Sequence, residues 1–400
     1  MTQDTAYRDA KNFFQVFEPK GEVISGVKVP GSVHLLGEIN DFNKGKVVSA
    51  NINKDSFILA QKRRENDRSV QFYSLKYDEK IRMSLNEPES KEEHGWANFM
   101  SSTLFMLEGT SRKVNGMNVF INNQIPDQFD ANSIESLEVG VALIASRFSD
   151  WEIKGVEIAE ACSEGEKKFM GRNKSFAKYL PSIFGKKGMV TYFDAAELKE
   201  ENVEAGLDGL VFMILSSGLK KKAIEEKMKG VYAELEESMK IMKRNGAAFD
   251  SLHALTMEQF DDYRGKLSIS QRKKCAFFIS ENERAQKAKE ALAAKKVEEF
   301  ISILNESQKN IKNRLDLVEE ENEILIDMIQ DMPEIKAVRM LNMGLDGTVI
   351  TILEKDRLEA VQTKIKKTFL TRTGLDLITE VFDLNNQIED IDINVAEFKK

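Results

Sequence analysis

Apolar positions in the first third of the chain come in short runs. Residues 22–29, 46–51 and 57–61 are apolar and partly β-branched, and they predict strands separated by Pro30-Gly31 and by Asn43-Lys44-Gly45. Met117, Val119 and Ile121 alternate and predict a further strand, whereas Leu137, Val141, Ile144 and Phe148 recur at helical spacing over Ser133–Phe148. Residues 188–193 and 209–215 read as apolar strands that pair centrally, and the charged stretch 220–243 reads as a helix. Residues 281–330 are helical in pattern and rich in charge. Residues 335–340 and 348–353 then form a hairpin-like pair around a glycine-containing turn. The chain is therefore expected to be α+β, largely β at its start and mixed in its second half.

At 400 residues the chain is long enough for two or three domains, or for two halves closing on a cleft. No repeat or low-complexity linker interrupts it, and a boundary near residue 190 divides it into 1–190 and 191–400. A hydrophobic fraction of 42%, a charged fraction of 31% and only 6 prolines describe an ordered, helix-rich protein. The formal net charge of -8 points away from nucleic acid, towards a small molecule or a protein as partner. No apolar run approaches the ~20 residues of a membrane span, and the polar N-terminus does not read as a signal peptide, so a cytoplasmic protein without membrane contact is expected. Cys162 and Cys275 are far apart and lack histidines at ligand spacing, which predicts neither a disulfide nor a zinc site.

Candidate chemistry enters with a motif. Val29-Pro30-Gly31-Ser32-Val33-His34-Leu35-Leu36-Gly37-Glu38-Ile39-Asn40-Asp41-Phe42-Asn43 resembles the galactokinase signature PGRVNLIGEHTDYN. Gly95-Trp96-Ala97-Asn98-Phe99, residues 182–194 (SIFGKKGMVTYFD, similar to SLFGKKGHALLID), Ser280-Glu281-Asn282-Glu283-Arg284 and Leu304-Asn305-Glu306-Ser307 follow in the family's order and spacing. Collinear matches over residues 12–355 are more specific than one glycine-rich string. The chain thus resembles galactokinases of the GHMP small-molecule kinase superfamily. The resemblance implies a two-lobed fold, with an N-terminal domain like ribosomal protein S5 domain 2 and a C-terminal ferredoxin-like domain, and ATP and sugar meeting between them.

The resemblance also shows what is missing. The superfamily's loop PxGxGLSSSA brings backbone N–H groups to the ATP phosphates at a helix N-terminus. Here the segment reads Pro126-Asp127-Gln128-Phe129-Asp130-Ala131-Asn132-Ser133-Ile134-Glu135-Ser136, and no glycine occurs between Gly116 and Gly140. Asp127, Asp130 and Glu135 would face the triphosphate, where like charges ~4 Å apart repel by roughly 4 kcal/mol at an effective dielectric of 20. The plainer reading, that they solvate the loop and cap the helix that starts near Ser133, is the preferred one. The position of the family's catalytic aspartate is occupied by Lys178, with no acid anywhere from residue 167 to 193. The cleft arginine's position is occupied by Ser32, no arginine lies between residues 9 and 62, and Lys28 is the nearest upstream cation. The family's MTGGGFGGC appears as Met340-Leu341-Asn342-Met343-Gly344-Leu345-Asp346-Gly347-Thr348, which keeps two glycines of the turn. Of the sugar contacts, Glu38 and Asp41 remain as candidates, while the histidine is Ile39 and the tyrosine is Met228. Glu38 and Asp41 read equally well as acids that hydrogen-bond a turn.

By analogy these losses imply a pseudokinase that acts by binding, in regulation or as a scaffold, with no catalytic residue, no metal site and no cofactor. The alternative is an active ATP-dependent sugar 1-kinase of the galactokinase class, using ATP and Mg through rebuilt phosphate contacts. A third reading takes Lys167, Lys168, Arg172, Lys174, Lys178, Lys186 and Lys187 as a receptor for an anionic small molecule, or else as a solvated surface. Lys178 is expected to enter the former sugar pocket and to pair with Glu38, Asp41 or a bound anion. The three histidines, His34, His94 and His253, share no motif spacing.

Overall fold

The computed structural model describes residues 2–18, 23–38, 40, 44–64, 67–87, 89–109, 112–129, 131–218, 224–315, 317–318, 320–345 and 347–394. The chain opens with α1 (Thr2–Phe17), β1 (Val23–Leu36), β2 (Lys46–Lys62), β3 (Ser69–Ser74), β4 (Glu79–Ser84), α2 (Ala97–Leu107) and β5 (Met117–Asn123). It continues with α3 (Ser133–Phe148), α4 (Gly155–Met170), α5 (Leu180–Phe184), β6 (Met189–Asp194), β7 (Lys199–Glu204) and β8 (Leu210–Ser216). Then come α6 (Ile224–Arg244), α7 (Met257–Asp261), α8 (Ile269–Ala293), α9 (Val297–Arg314) and α10 (Glu320–Ile329). The last elements are β9 (Ile335–Met340), β10 (Thr348–Glu354), α11 (Leu358–Thr373), β11 (Ile378–Phe382) and β12 (Glu389–Asn394).

The strands form two sheets. The first runs β12-β1-β2-β5-β3-β4, with β6 and β7 attached beside the first half of β2; the second runs β11-β8-β10-β9 and is antiparallel throughout. β12 returns from the far end of the chain to pair with β1, so the first sheet draws on both ends of the sequence.

Two predicted strands, 46–51 and 57–61, are one long strand. The first half of β2 pairs with β6 and the second half with β5, which lets one strand serve two neighbours on the same side. Pro30-Gly31, read as a break, lies inside β1 at a register shift between Pro30 and Ser32. An irregularity is where a strand tolerates proline, because one ladder donor is already lost there. The expected pairing of residues 188–193 with 209–215 does not occur. β6 lies on β2 in the first sheet, and β8 lies between β10 and β11 in the second. Both runs are apolar because both are buried central strands, and apolarity marks centrality without naming a partner. The expected β9–β10 hairpin is present. The helical stretch 281–330 is divided among α8, α9 and α10, with Lys295 in a left-handed conformation (φ 57°) where α8 ends. Residues 220–223 of the predicted helix 220–243 lie outside the described residues.

Four apolar cores hold these layers. One lies between the first sheet and α2, α3, α4 and α5, built on Val27, Ile58, Val119, Val141 and Ile158. A second lies under the outer face of the second sheet, with Met213, Phe277, Ile326 and Phe369. The third joins the two sheets across α8 and α9 and contains Leu35, Val48, Phe129, Ile214, Ala288, Leu304 and Ile350. A small fourth one seats α1 through Phe13 on Leu59 and Phe120. Cys162 and Cys275 are buried free thiols. Among the described residues no helix is long and apolar enough to cross a membrane.

Candidate functional site

Glu38 follows the end of β1 and is buried. Arg339 of β9 grips it with two parallel hydrogen bonds, Nη1 to Oε1 at 3.0 Å and Nη2 to Oε2 at 2.7 Å, and the Asn342 backbone N–H adds a third to Oε1 at 2.9 Å. Arg339 is itself fully buried and also donates to Glu281 Oε1 at 3.2 Å and to Ser307 Oγ at 3.1 Å. Ser307 Oγ donates to Glu281, and Arg284 Nε donates to Glu281 Oε2 at 2.8 Å. Burial alone would raise the Glu281 acid, but Arg284 and Arg339 outweigh it and hold the carboxyl below its usual value. The segments 280–284 and 304–307 thus serve an ion network that ties β1 to α8, α9 and β9. Asp41 and Ile39 lie outside the described residues. Asn40 is buried and donates to the Lys46 carbonyl at 3.0 Å.

The segment 126–136 lies directly on β1. Ser32 donates its backbone N–H to the Ala131 carbonyl at 3.0 Å, and Asn132 Nδ2 donates to Ser32 Oγ at 2.9 Å. Asn132 is left-handed (φ 51°) and buried, at the N-terminus of α3. Phe129 is buried in the core between the sheets. Gln128 is exposed, and Asp127 pairs with Lys76. Asn123 Nδ2 donates to Ser133 Oγ at 2.7 Å, and the Ser136 hydroxyl lies 2.6 Å from that of Ser56. Asp130 lies outside the described residues. Glu135 is buried within the first turn of α3, and Lys174 Nζ approaches it to 2.6 Å. Burial raises this acid, but Lys174 and then Lys178 more than offset that, with its own backbone N–H helping, and the carboxyl titrates below its usual value.

Lys178 sits in a 3-10 turn before α5, half-buried, and adds its positive charge to the field at Glu135. The expected pairing with Glu38 is not what holds that acid, because both Glu38 oxygens are engaged by Arg339. Lys28 is buried and pairs with Glu389 of β12 at 2.8 Å, so the nearest upstream cation serves the strand return. Met228 packs on the outer core of the second sheet. The basic stretch is largely matched from within: Lys167 with Glu164, Arg172 and Lys174 with Glu166, and Lys187 with Glu389. Gly344 and Gly347 have φ of 83° and 72°, as the turn before β10 requires. His253 is half-buried with its ring against Gly45, and desolvation, opposed by a hydrogen bond with the Asn40 backbone and aided by Lys46, pushes it down to about 3, so its ring is neutral.

Sequence reasoning missed Arg339, Glu138 and Glu166, and it took Lys174 as part of an anion-receiving stretch rather than as the counter-ion of Glu135 and Glu166. Arg339 lies one residue before the matched turn segment, inside an apolar strand where an arginine needs a partner. Glu138 lies on the stripe of Val141, Ala142 and Ala145, and a charge on an apolar helix face is the signal that would have found it.

No family model matches the chain. A galactokinase of Staphylococcus saprophyticus is 26% identical over 370 residues, which is 91% of this chain and 94% of that protein. A galactokinase of Thermotoga maritima is 23% identical over 365 residues, 91% of this chain and 99% of that protein. Among solved structures, Lactococcus lactis galactokinase complexed with galactose superposes with a TM-score of 0.88 at 24% identity, covering 96% of this chain and 99% of that one. A mevalonate kinase superposes with a TM-score of 0.58 at 17% identity, covering 90% and 99%. The chain has the α+β fold of the GHMP kinases and is galactokinase-like over nearly its whole length.

Proposed function

We propose that this galactokinase-like chain acts by binding, in regulation or as a scaffold, and does not transfer a phosphoryl group. One observation carries the reading: the chain's own side chains fill the start of α3. The Glu135 carboxylate lies against its backbone N–H with Lys174 as counter-ion, and Asn132 is tied to Ser32. A helix N-terminus favours one anion, and here that anion is a glutamate. The residues in this arrangement do not fit a triphosphate, which would meet the Glu135 charge at the start of α3. Lys178 and Ser32 supply neither a proton acceptor nor a charge-stabilising guanidinium. A sugar or a protein remains a suitable partner, and ATP and Mg have no role in this reading.

A second reading is an active ATP-dependent galactokinase, and the relatives speak for it more strongly than for the first. The compared proteins are named galactokinases, and the similarity extends over nine-tenths of the chain. Under this reading the loop opens to admit ATP and Mg, and residues other than Lys178 and Ser32 take over the base and the positive charge. One assay separates the two. Pure protein is incubated with galactose, ATP and Mg, and galactose 1-phosphate is followed by phosphorus NMR beside a calorimetric titration with ATP·Mg. The binding reading expects no product and little or no heat. Product that disappears in Asp41→Ala establishes the kinase.

A further inference from the structure

Beneath the segment 126–136, helices α2, α3 and α4 enclose a buried charge cluster of which Glu135 is one member. Glu135, Glu138 and Glu166 are 4%, 0% and 0% exposed. Lys174 Nζ bridges Glu135 at 2.6 Å and Glu166 at 3.2 Å. Glu166 also accepts from the Tyr179 hydroxyl at 3.0 Å and has Arg172 Nε 3.5 Å from its Oε2. Glu138 is served differently. The Thr103 hydroxyl donates to its Oε1 at 3.2 Å, the Tyr179 hydroxyl, which donates to Glu166, lies close enough to favour its ionised form slightly, and its buried Oε2 makes no hydrogen bond among the described residues.

An ionised carboxylate with one bare oxygen in a dry interior is a costly state, whereas a protonated one turns that oxygen into a donor. We infer that Glu138 is a proton-binding site: it carries a proton at neutral pH, and losing that proton at alkaline pH loosens the first turn of α3 and the segment packed on Ser32. Burial is the largest influence on this acid, and the Glu166 charge adds to it; both drive it well above its usual value, with Glu135 contributing and Lys174 opposing. Glu166 is the other acid that faces the proton, and its Oε2 likewise makes no hydrogen bond, but Lys174 Nζ and Arg172 Nε place two positive charges 3.2 and 3.5 Å from that carboxylate. From α2 the Thr103 hydroxyl faces it; from α4 come Glu166 and the Cys162 thiol, which burial and then the Glu138 charge push up. From the segment after α4 come Lys174, Lys178, Arg172 and the Tyr179 phenol, raised for the same two reasons. The thiol and the phenol therefore stay neutral and the lysine stays charged, which leaves Glu138 as the group that changes state. The inference holds whether or not the cleft transfers phosphate.

Infrared spectroscopy of the full chain in heavy water at pH 7.5 tests the proton directly. A carboxylic-acid C=O band is expected in the wild type and should vanish in Glu138→Gln. Hydrogen exchange of residues 131–138, corrected for intrinsic rates, tests the linkage. Above the acid's pKa, opening in the wild type should grow by up to about tenfold per pH unit, and in Glu138→Gln it should be independent of pH. Lys174→Met, which removes a charge favouring the ionised acid, should move the wild-type rise to higher pH. The inference is overturned by absence of the band in the wild type, by a band that persists in Glu138→Gln, or by the same pH profile in wild type and Glu138→Gln. If Glu138→Gln does not fold, the wild-type band and the Lys174→Met profile still decide.

Discussion

At the scale of single residues, Arg339 shows how far a motif can be read without its partners. Glu38 was legible as a buried-turn acid or a sugar contact, and the sequence left both open. What decides its state is a guanidinium 301 positions away in the chain, and no local pattern encodes that approach. Removing the arginine alone would strand Glu38 in a dry site and leave Glu281 to Arg284 and Ser307, a loss of about 3–5 kcal/mol for a broken buried pair. Arg339→Met should therefore lower the melting temperature strongly at pH 7. The pH dependence has a definite sign. Glu281 is held below its usual value of 4.5, so its contribution is present above that pH and is lost as pH falls through the lower folded value. In Arg339→Met the Arg339 share of that contribution is gone while the Arg284 share remains, so the gap between variant and wild type should be full at pH 7 and should narrow below about pH 4.5. Melting curves across that range check it; a gap that is constant with pH would mean that the loss is one of packing alone.

At the scale of elements, the strands and helices with a clean period were legible: α3 spans Ser133–Phe148 as its spacing predicts, and the β9–β10 hairpin pairs as expected. Other elements hid for physical reasons. β4 is a short edge strand, half solvated, and its EKIRMS carries more charge than apolar surface. β12 reads EDIDIN, so its alternation is masked by acids that pair with Lys28 and Arg147. The turn after β1 is where local chemistry is most binding. Gly37 has φ 76°, its carbonyl accepts from Asn40 N–H at 2.9 Å, and a Cβ there would overlap the Lys46 carbonyl. A left-handed backbone costs a residue with a side chain of order 1–3 kcal/mol, and the overlap adds to it. Gly37→Ala should thus destabilise the protein, whereas Gly246→Ala, also left-handed but in open space, should cost only the backbone share. Chemical denaturation of the two variants measures the difference; equal losses would show that the Lys46 carbonyl yields at no cost.

At the scale of the whole molecule, the decisive feature is the core between the sheets, which the sequence could not announce because its members are scattered from Val33 to Leu384. It takes side chains from β1, β2 and β6 of the first sheet, from β8, β10 and β11 of the second, and from α8 and α9 between them. The Glu38–Arg339–Glu281 network crosses the same junction. Neither sheet can therefore expose its inner face without the other doing so, and calorimetry should record one unfolding transition. Ala288 lies in this core with no exposed surface. A carboxylate placed there incurs a desolvation cost of several kcal/mol or takes up a proton, and either way the junction is weakened while the two outer cores are untouched. Ala288→Glu should split the single transition into two, with the separation shrinking at acidic pH as the new acid becomes neutral. Lys287→Glu, one position away on the exposed face of α8, introduces the same side chain in water and should leave one transition. Two transitions in the wild type would show that the sheets are stable independently, and a single one in Ala288→Glu with an unchanged midpoint would show that the carboxylate does not weaken the core between them.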